Sequence, residues 1–237
     1  SNRWLTMRNC SFSKAGKVDN EWLVSGTPPT GATGAIITFA RWGFLMENCT
    51  VDQCASAVYL KESQTGNPTF GYDFVGRYNI FTTNYSILTV KCQAYRGPHA
   101  SKVYSNVFRD YFLGIGYEMG LKHREVINTN NTYWSTGNTV YSITKAITFG
   151  TDCPGIDAYT IAGNIFEHND STDESFWGMS TVACVSDKFD ENIYAGGFRA
   201  FTGGNNYSGG TTYSSLATWQ AAPATNDTPL NPGVSST

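Results

Sequence analysis

Short runs of alternating apolar and polar residues recur along this chain: WLTMRN from residue 4, GFLMEN from 43, YDFVGRYN from 72, KVYSN from 102, EVINTN from 125, YTIAGN from 159 and KFDEN from 188. A period of two puts successive side chains on opposite faces of a strand, and long amphipathic helical stretches are missing. Each run leads into one short phrase, an asparagine, a β-branched residue and an aromatic: Asn79-Ile80-Phe81, Asn106-Val107-Phe108, Asn164-Ile165-Phe166 and Asn192-Ile193-Tyr194, with Asn131-Thr132-Tyr133 a looser copy. Upstream, Asn9-Cys10-Ser11-Phe12 and Asn48-Cys49-Thr50-Val51 carry one extra residue before the large apolar position. The phrase asparagines from Asn79 onward are 27, 25, 33 and 28 residues apart, which is a solenoid-sized period.

The predicted unit is strand, Asn-centred turn, strand, then a loop of variable length. One unit cannot bury its apolar face alone, but units stacked about 4.8 Å apart share a continuous core. Asparagine suits the turn because it tolerates the left-handed backbone conformation, and stacked amides can hydrogen-bond from one unit to the next. The recurring Phe and Tyr are then expected to stack inside. An antiparallel β-sandwich also uses regularly spaced short strands, but it has no reason to repeat one turn chemistry at such intervals.

The series N-C-S-F, N-C-T-V, N-I-F, N-V-F, N-I-F and N-I-Y resembles the right-handed parallel β-helix proteins of the pectin-lyase-like group, a group that includes phage tailspike shafts and polysaccharide lyases. The resemblance implies an all-β chain: a single-stranded right-handed parallel β-helix of about seven coils over residues 1–204, then a C-terminal cap and loose tail over 205–237, as a piece of a longer chain. In the tail, Ser214 or Ser215 is expected to cap a short helix whose Leu216 and Trp219 cover the end of the core. Nothing equivalent covers the start, where a preceding domain or a neighbouring chain is expected to cap the first coil.

Composition narrows the function classes. Only 15% of the 237 residues are charged and the formal net charge is −3, so there is no electrostatic footprint for nucleic acid or an anionic membrane. No apolar run is long enough to span a bilayer. The six cysteines never adopt C-x-x-C spacing, which points to buried thiols or disulfides rather than a zinc or redox site. Cys10 and Cys49 are expected at equivalent positions of consecutive coils, within reach of a disulfide or as stacked free thiols. Seven N-x-S/T sequons, at Asn9, Asn48, Asn84, Asn130, Asn169, Asn206 and Asn226, allow glycosylation.

Three groups of residues could carry chemistry. Just past each phrase asparagine, Asp52, Thr83, Arg109, Asp110, Trp134, Glu167 and His168 are expected to face outward from adjacent coils. From these, Asp52, Asp110, Trp134, Glu167 and His168 are the candidate carbohydrate contacts, able to bind hydroxyls and stack on sugar rings. A second group combines Glu118, Lys122, His123 and Arg124 with Arg109 one coil away. A polysaccharide lyase needs a base and a cation beside a uronate carboxylate, and Arg109, Glu118, Lys122 and His123 are its catalytic candidates. The third group, Asp187, Asp190 and Glu191 with Asp170, Asp173 and Glu174, leaves calcium as a cofactor, although no D-x-[DN]-x-[DN]-G loop is present and no metal ligand set is assigned. Motifs of sugar hydrolases and serine esterases are absent.

The resemblance therefore implies an extracellular, cell-surface or virion β-helix module that binds a polysaccharide or surface glycan, self-associates, or does both, or else a plain structural module of a longer surface protein. The alternative is a lyase acting on a uronic-acid-containing polysaccharide.

Overall fold

The structure is a computed structural model that describes residues 4–14, 36–39, 43–54, 56–61, 74–91, 99–118, 123–136, 145–149, 159–169, 173–179, 188–196, 198–202, 211–221 and 237. Lys122, Asp170, Asp187 and the tail 222–236 lie outside these residues, as do Cys92, Cys153 and Cys184.

The strands form three parallel ladders. The first is a seven-stranded sheet of β1 (Trp4–Arg8), β4 (Gly43–Glu47), β7 (Phe74–Arg77), β9 (His99–Tyr104), β11 (His123–Thr129), β14 (Tyr159–Ala162) and β17 (Lys188–Asp190), in that order. The second runs through β2 (Ser11–Ser13), β5 (Thr50–Asp52), the start of β8 (Ile80–Lys91), the start of β10 (Val107–Glu118), β12 (Thr132–Ser135), β15 (Ile165–His168) and β18 (Ile193–Ala195). The third takes β3 (Ile36–Phe39), β6 (Ser56–Lys61), the far halves of β8 and β10, β13 (Lys145–Phe149), β16 (Glu174–Met179) and β19 (Ala200–Thr202). The second and third ladders are arms of one 13-stranded sheet, joined where β8 and β10 run through both.

Each pass of the chain thus adds one strand to each ladder, seven times over. Among the described residues every pairing is parallel except that of β19 with β20 (Thr211–Tyr213), so an antiparallel sandwich does not describe this chain. The arrangement is all-β, in stacked parallel sheets, and is compatible with a parallel β-helix.

The register explains the repeated phrase. Phe12, Val51, Phe81, Phe108, Tyr133, Phe166 and Tyr194 pair one above another along the second ladder. From Phe81 to Tyr194 the rings stack nearly parallel at centroid distances of 5.2, 4.8, 4.9 and 5.2 Å. All but Phe12 and Tyr194 are buried. Burying a side chain of this size contributes about 1.5–3 kcal/mol, and the ring contacts add to it.

The asparagines form a second internal column. Asn79 Nδ2 donates to Asn106 Oδ1 (3.0 Å), Asn106 Nδ2 to Asn131 Oδ1 (3.0 Å), Asn131 Nδ2 to Asn164 Oδ1 (3.2 Å) and Asn164 Nδ2 to Asn192 Oδ1 (3.1 Å). Each of these oxygens also accepts the backbone N–H of the asparagine one pass earlier. Each Nδ2 also reaches a backbone carbonyl of the first ladder, such as Val103 O from Asn131 (3.0 Å). A buried amide must be satisfied, and here each one satisfies its neighbours.

Two details differ from the sequence reading. The left-handed residue is not the phrase asparagine but the one before it: Tyr78, Ser105, Asn130, Gly163 and Glu191 all have φ between 56° and 65°. In the first two passes Asn9 and Asn48 take this left-handed role (φ 54° and 55°), and Cys10 and Cys49 occupy the column held elsewhere by the buried asparagines. The extra residue upstream is therefore no insertion. Cys10, Cys49 and Cys54 stand as thiols, with Cys54 Sγ donating to Asp52 O at 3.4 Å.

The two ends differ. At the far end, Ser215 Oγ accepts the Thr218 N–H (3.3 Å) and caps α1 (Leu216–Gln220). The fully buried Trp219 of α1 packs on Phe176, Phe189 and Phe198 at 5.2, 5.8 and 5.1 Å. Thr237 extends the second ladder past β18, donating its N–H to Asn192 O and accepting from Tyr194 N. At the near end, Trp4 and Leu5 on the outermost strand β1 are exposed.

Candidate functional site

Inward and outward positions alternate along the second ladder, so the residue two past each phrase aromatic's neighbour returns to the outside. The outward column Ser13, Asp52, Thr82, Arg109, Trp134, Glu167 and Ala195 is in continuous register. Four of its members, Asp52, Arg109, Trp134 and Glu167, are expected from the sequence to face outward together, with Thr82 standing where the spacing pointed to Thr83. From Asp52 to Glu167 the column covers four inter-strand steps, about 19 Å.

Its centre is an organised pair. The Arg109 guanidinium lies 4.7 Å above the Trp134 ring, while Arg109 Nε donates to Asp110 Oδ2 at 3.2 Å. A cation held over an indole face keeps its remaining N–H groups free to meet hydroxyls or a carboxylate. Burial pushes the Asp52 carboxyl above its ordinary value, opposed by the Gln53 backbone N–H and the Lys14 charge.

A parallel column was not singled out by the sequence reading. The middle residue of each phrase also faces outward: Ile80, Val107, Ile165 and Ile193 are exposed, with Thr132 between them in register. An apolar strip therefore runs beside the charged and aromatic column on the same face. The signal was present in the β-branched middle letter, which is also what any strand favours.

Two predicted contacts do not face outward. At Asp110 the chain turns (φ 50°), and its Oδ1 accepts from Thr136 N (2.9 Å) and Thr136 Oγ1 (2.7 Å) while Oδ2 accepts from Arg109. Its oxygens tie two passes together and are not offered to a sugar. His168 is buried, with Nε2 3.2 Å from Ser175 Oγ and Nδ1 3.9 Å from Asp173 Oδ2. Ser, His and Asp in this order is the arrangement of an acyl-transfer site. Here the exposures are 0, 1 and 4%, so the set is closed to solvent.

Burial pulls the His168 ring below the ordinary 6.5 to about 4, with Asp173 opposing the shift. The folded value is the lower one, so the neutral ring's contribution is complete above the unfolded value and is lost as pH falls through the folded one. Wild-type protein is expected to lose roughly 3 kcal/mol more stability than His168→Gln between about pH 7 and pH 4. Urea unfolding of both proteins across that window checks this, and parallel curves would contradict it.

The remaining candidates lie on several strands. Arg109 and Glu118 stand near opposite ends of the 12-residue β10, Arg109 pairing with Thr82 and Trp134 in the second ladder and Glu118 with Lys91 in the third. His123 opens β11 in the first ladder, opposite His99. Lys122 lies outside the described residues. Asp190 accepts the Glu191 N–H, and Glu191 is an exposed left-handed turn residue. Among the described residues no three His, Cys, Asp or Glu come together as a metal site.

One surface network was missed altogether. Arg8, Glu47, Arg77 and Tyr104 pair in register, with Glu47 bound by Arg8 Nε (2.6 Å) and Arg77 (2.7 Å), and Arg77 donating to the Tyr104 hydroxyl (2.8 Å). Burial alone would push the Glu47 carboxyl up, but the hydrogen bonds and charges of Arg8 and Arg77 hold it below its ordinary value.

Comparison with protein-family models, with curated proteins and with solved structures gives no match. Among the described residues no helix is long and apolar enough to cross a membrane.

Proposed function

We propose that the three ladders wrap into a single right-handed parallel β-helix and that this chain is an extracellular or virion-surface module binding an extended glycan along the outer face of its second ladder. The carrying observation is the outward column Asp52, Thr82, Arg109, Trp134 and Glu167, one residue per pass, with Arg109 poised over Trp134. A polysaccharide has hydroxyl edges and apolar C–H faces repeating along its length. A straight file of acceptors, a cation and an indole beside an apolar strip complements both. The low charge of the chain also favours a neutral or sparsely charged partner. Packing into a larger assembly fits the same reading, supported by the exposed Trp4 and Leu5 on β1.

A glycan array followed by calorimetric titration tests it. Wild type binds a linear polysaccharide, and Trp134→Ala weakens that binding at least about tenfold without lowering Tm, because the ring lies on the outer face. Absence of glycan binding, or an unchanged affinity in the variant, contradicts the reading. Accumulation of an unsaturated sugar from uronic-acid polymers would replace it with the lyase.

A further inference from the structure

The position occupied by buried asparagine in five passes is cysteine in the first two. Ser11 pairs with Thr50 and Arg8 with Glu47, so Cys10 and Cys49 stand at matched positions of adjacent parallel strands. The Thr50 N–H donates to Cys10 O at 2.9 Å, which fixes this register at the cysteines themselves. Matched positions on neighbouring strands lie about 4.8 Å apart, inside the Cα range that a disulfide spans. Both thiols point the same way: Cys10 Sγ donates to Arg8 O and Cys49 Sγ to Glu47 O, each at 3.3 Å, and those carbonyls are themselves equivalent. The two sulfurs are thus superposed.

The pair also stands where the column of buried amides ends, the first two passes being joined beside it by Asn48 Nδ2 donating to Asn9 Oδ1 at 2.6 Å. A thiol cannot reproduce the amide's combined donor and acceptor pattern, so the column of carboxamides stops at Asn79, which donates to Met46 O and accepts from Cys49 N. Beyond it, the exposed outermost strand β1 packs on β4, and the two cysteines sit on the turns that follow these strands. Cys10 is half-buried and therefore reachable, whereas Cys49 is buried.

We propose that Cys10 and Cys49 are a redox-sensitive pair whose oxidation by a small disulfide such as oxidised glutathione staples the first pass of the chain to the second. The Cys10 thiolate attacks one sulfur of oxidised glutathione, forming a mixed disulfide and releasing one glutathione. The Cys49 thiolate then attacks the Cys10 sulfur and releases the second. Two protein thiols lose two electrons and two protons, and the oxidant becomes two molecules of glutathione. Burial raises the Cys49 thiol above its ordinary value, so exchange starts at Cys10 and Cys49 resolves it. The staple closes a loop of nearly forty residues and restores covalently the cross-link between passes that the amides supply elsewhere.

Purified wild-type protein equilibrated with oxidised glutathione, blocked with iodoacetamide and digested without reduction is expected to yield a Cys10–Cys49 linked peptide that dithiothreitol removes. Its Tm rises by several degrees on oxidation, and Cys10→Ser and Cys49→Ser each abolish both the peptide and the rise. A stable glutathione adduct on Cys10, separate alkylation of both thiols, or a link from either to Cys54, Cys92, Cys153 or Cys184 would overturn the proposal. The wild-type mapping stands even if a serine variant fails to fold, and none of these outcomes depends on glycan binding.

Discussion

Replacing Asn131 with leucine is expected to cost about 4 kcal/mol of folding free energy, more than most core truncations of similar size. Its Oδ1 accepts from both the backbone N–H and the side-chain Nδ2 of Asn106, each at 3.0 Å. Its Nδ2 donates to Val103 O, Asn128 Oδ1 and Asn164 Oδ1. Leucine has the same branched shape, a larger volume and none of these partners, so the buried Asn106 N–H loses its acceptor, Asn106 Nδ2 keeps only Gly76 O and Tyr104 O, and Val103 O loses a donor. Each unsatisfied group costs about 1–3 kcal/mol, which outweighs the gain from burying an aliphatic side chain. The neighbouring Asn130 is exposed and left-handed (φ 56°), a conformation glycine takes freely, so Asn130→Gly is expected to change stability by less than about 1 kcal/mol. Urea unfolding of the two variants decides the matter: equal losses would mean that the phrase asparagine is a turn residue and nothing more.

Phe108→Ala carries a comparable penalty, about 3–5 kcal/mol. The ring is fully buried and lies between Phe81 at 5.2 Å and Tyr133 at 4.8 Å, so truncation opens a cavity with aromatic faces above and below. The backbone cannot collapse into that cavity, because Val107 and Arg109 on either side are held in parallel register to both neighbouring strands. Phe108→Leu fills most of the space and loses only ring stacking, so its expected cost is roughly 1–2 kcal/mol. Thermal unfolding with calorimetry checks both. If Phe108→Ala cost no more than Phe108→Leu, the column would be loosely packed and the stack would not be a source of stability.

The interior was legible in the sequence because its chemistry is written in letters. A recurring large apolar position and a recurring asparagine can be counted, and Phe81, Phe108, Tyr133 and Phe166 do share one column. The turn was not legible in the same way. Its requirement is a backbone one, met by Tyr78, Ser105, Asn130, Gly163 and Glu191 alike, so no common letter marks it and the left-handed role was credited to the next residue. Nor could spacing show that Cys10 and Cys49 stand in the asparagine column, since a thiol and an amide look unrelated until the register aligns them.

The candidate site was half legible. Asp52, Arg109, Trp134 and Glu167 follow from counting outward positions along a strand. Asp110 and His168 stand one step further along, where strand alternation points inward, and Asp110 in addition sits at a left-handed turn. Asp110 turns back to bind Thr136, and His168 goes inside to meet Ser175 and Asp173. Polarity alone made both look like surface residues. The Arg8, Glu47, Arg77 and Tyr104 network was invisible because its members lie in four different passes and meet only through strand pairing.

In this fold the repeated phrase forms an internal column while the residue beside it faces water. Solution NMR of the side-chain carboxamide protons tests this within one molecule, by comparing exchange at Asn106, Asn131 and Asn164 with exchange at Asn130. The three column amides are expected to exchange orders of magnitude more slowly than Asn130, near the limit set by global unfolding. Exchange of Asn131 as fast as that of Asn130 would contradict it.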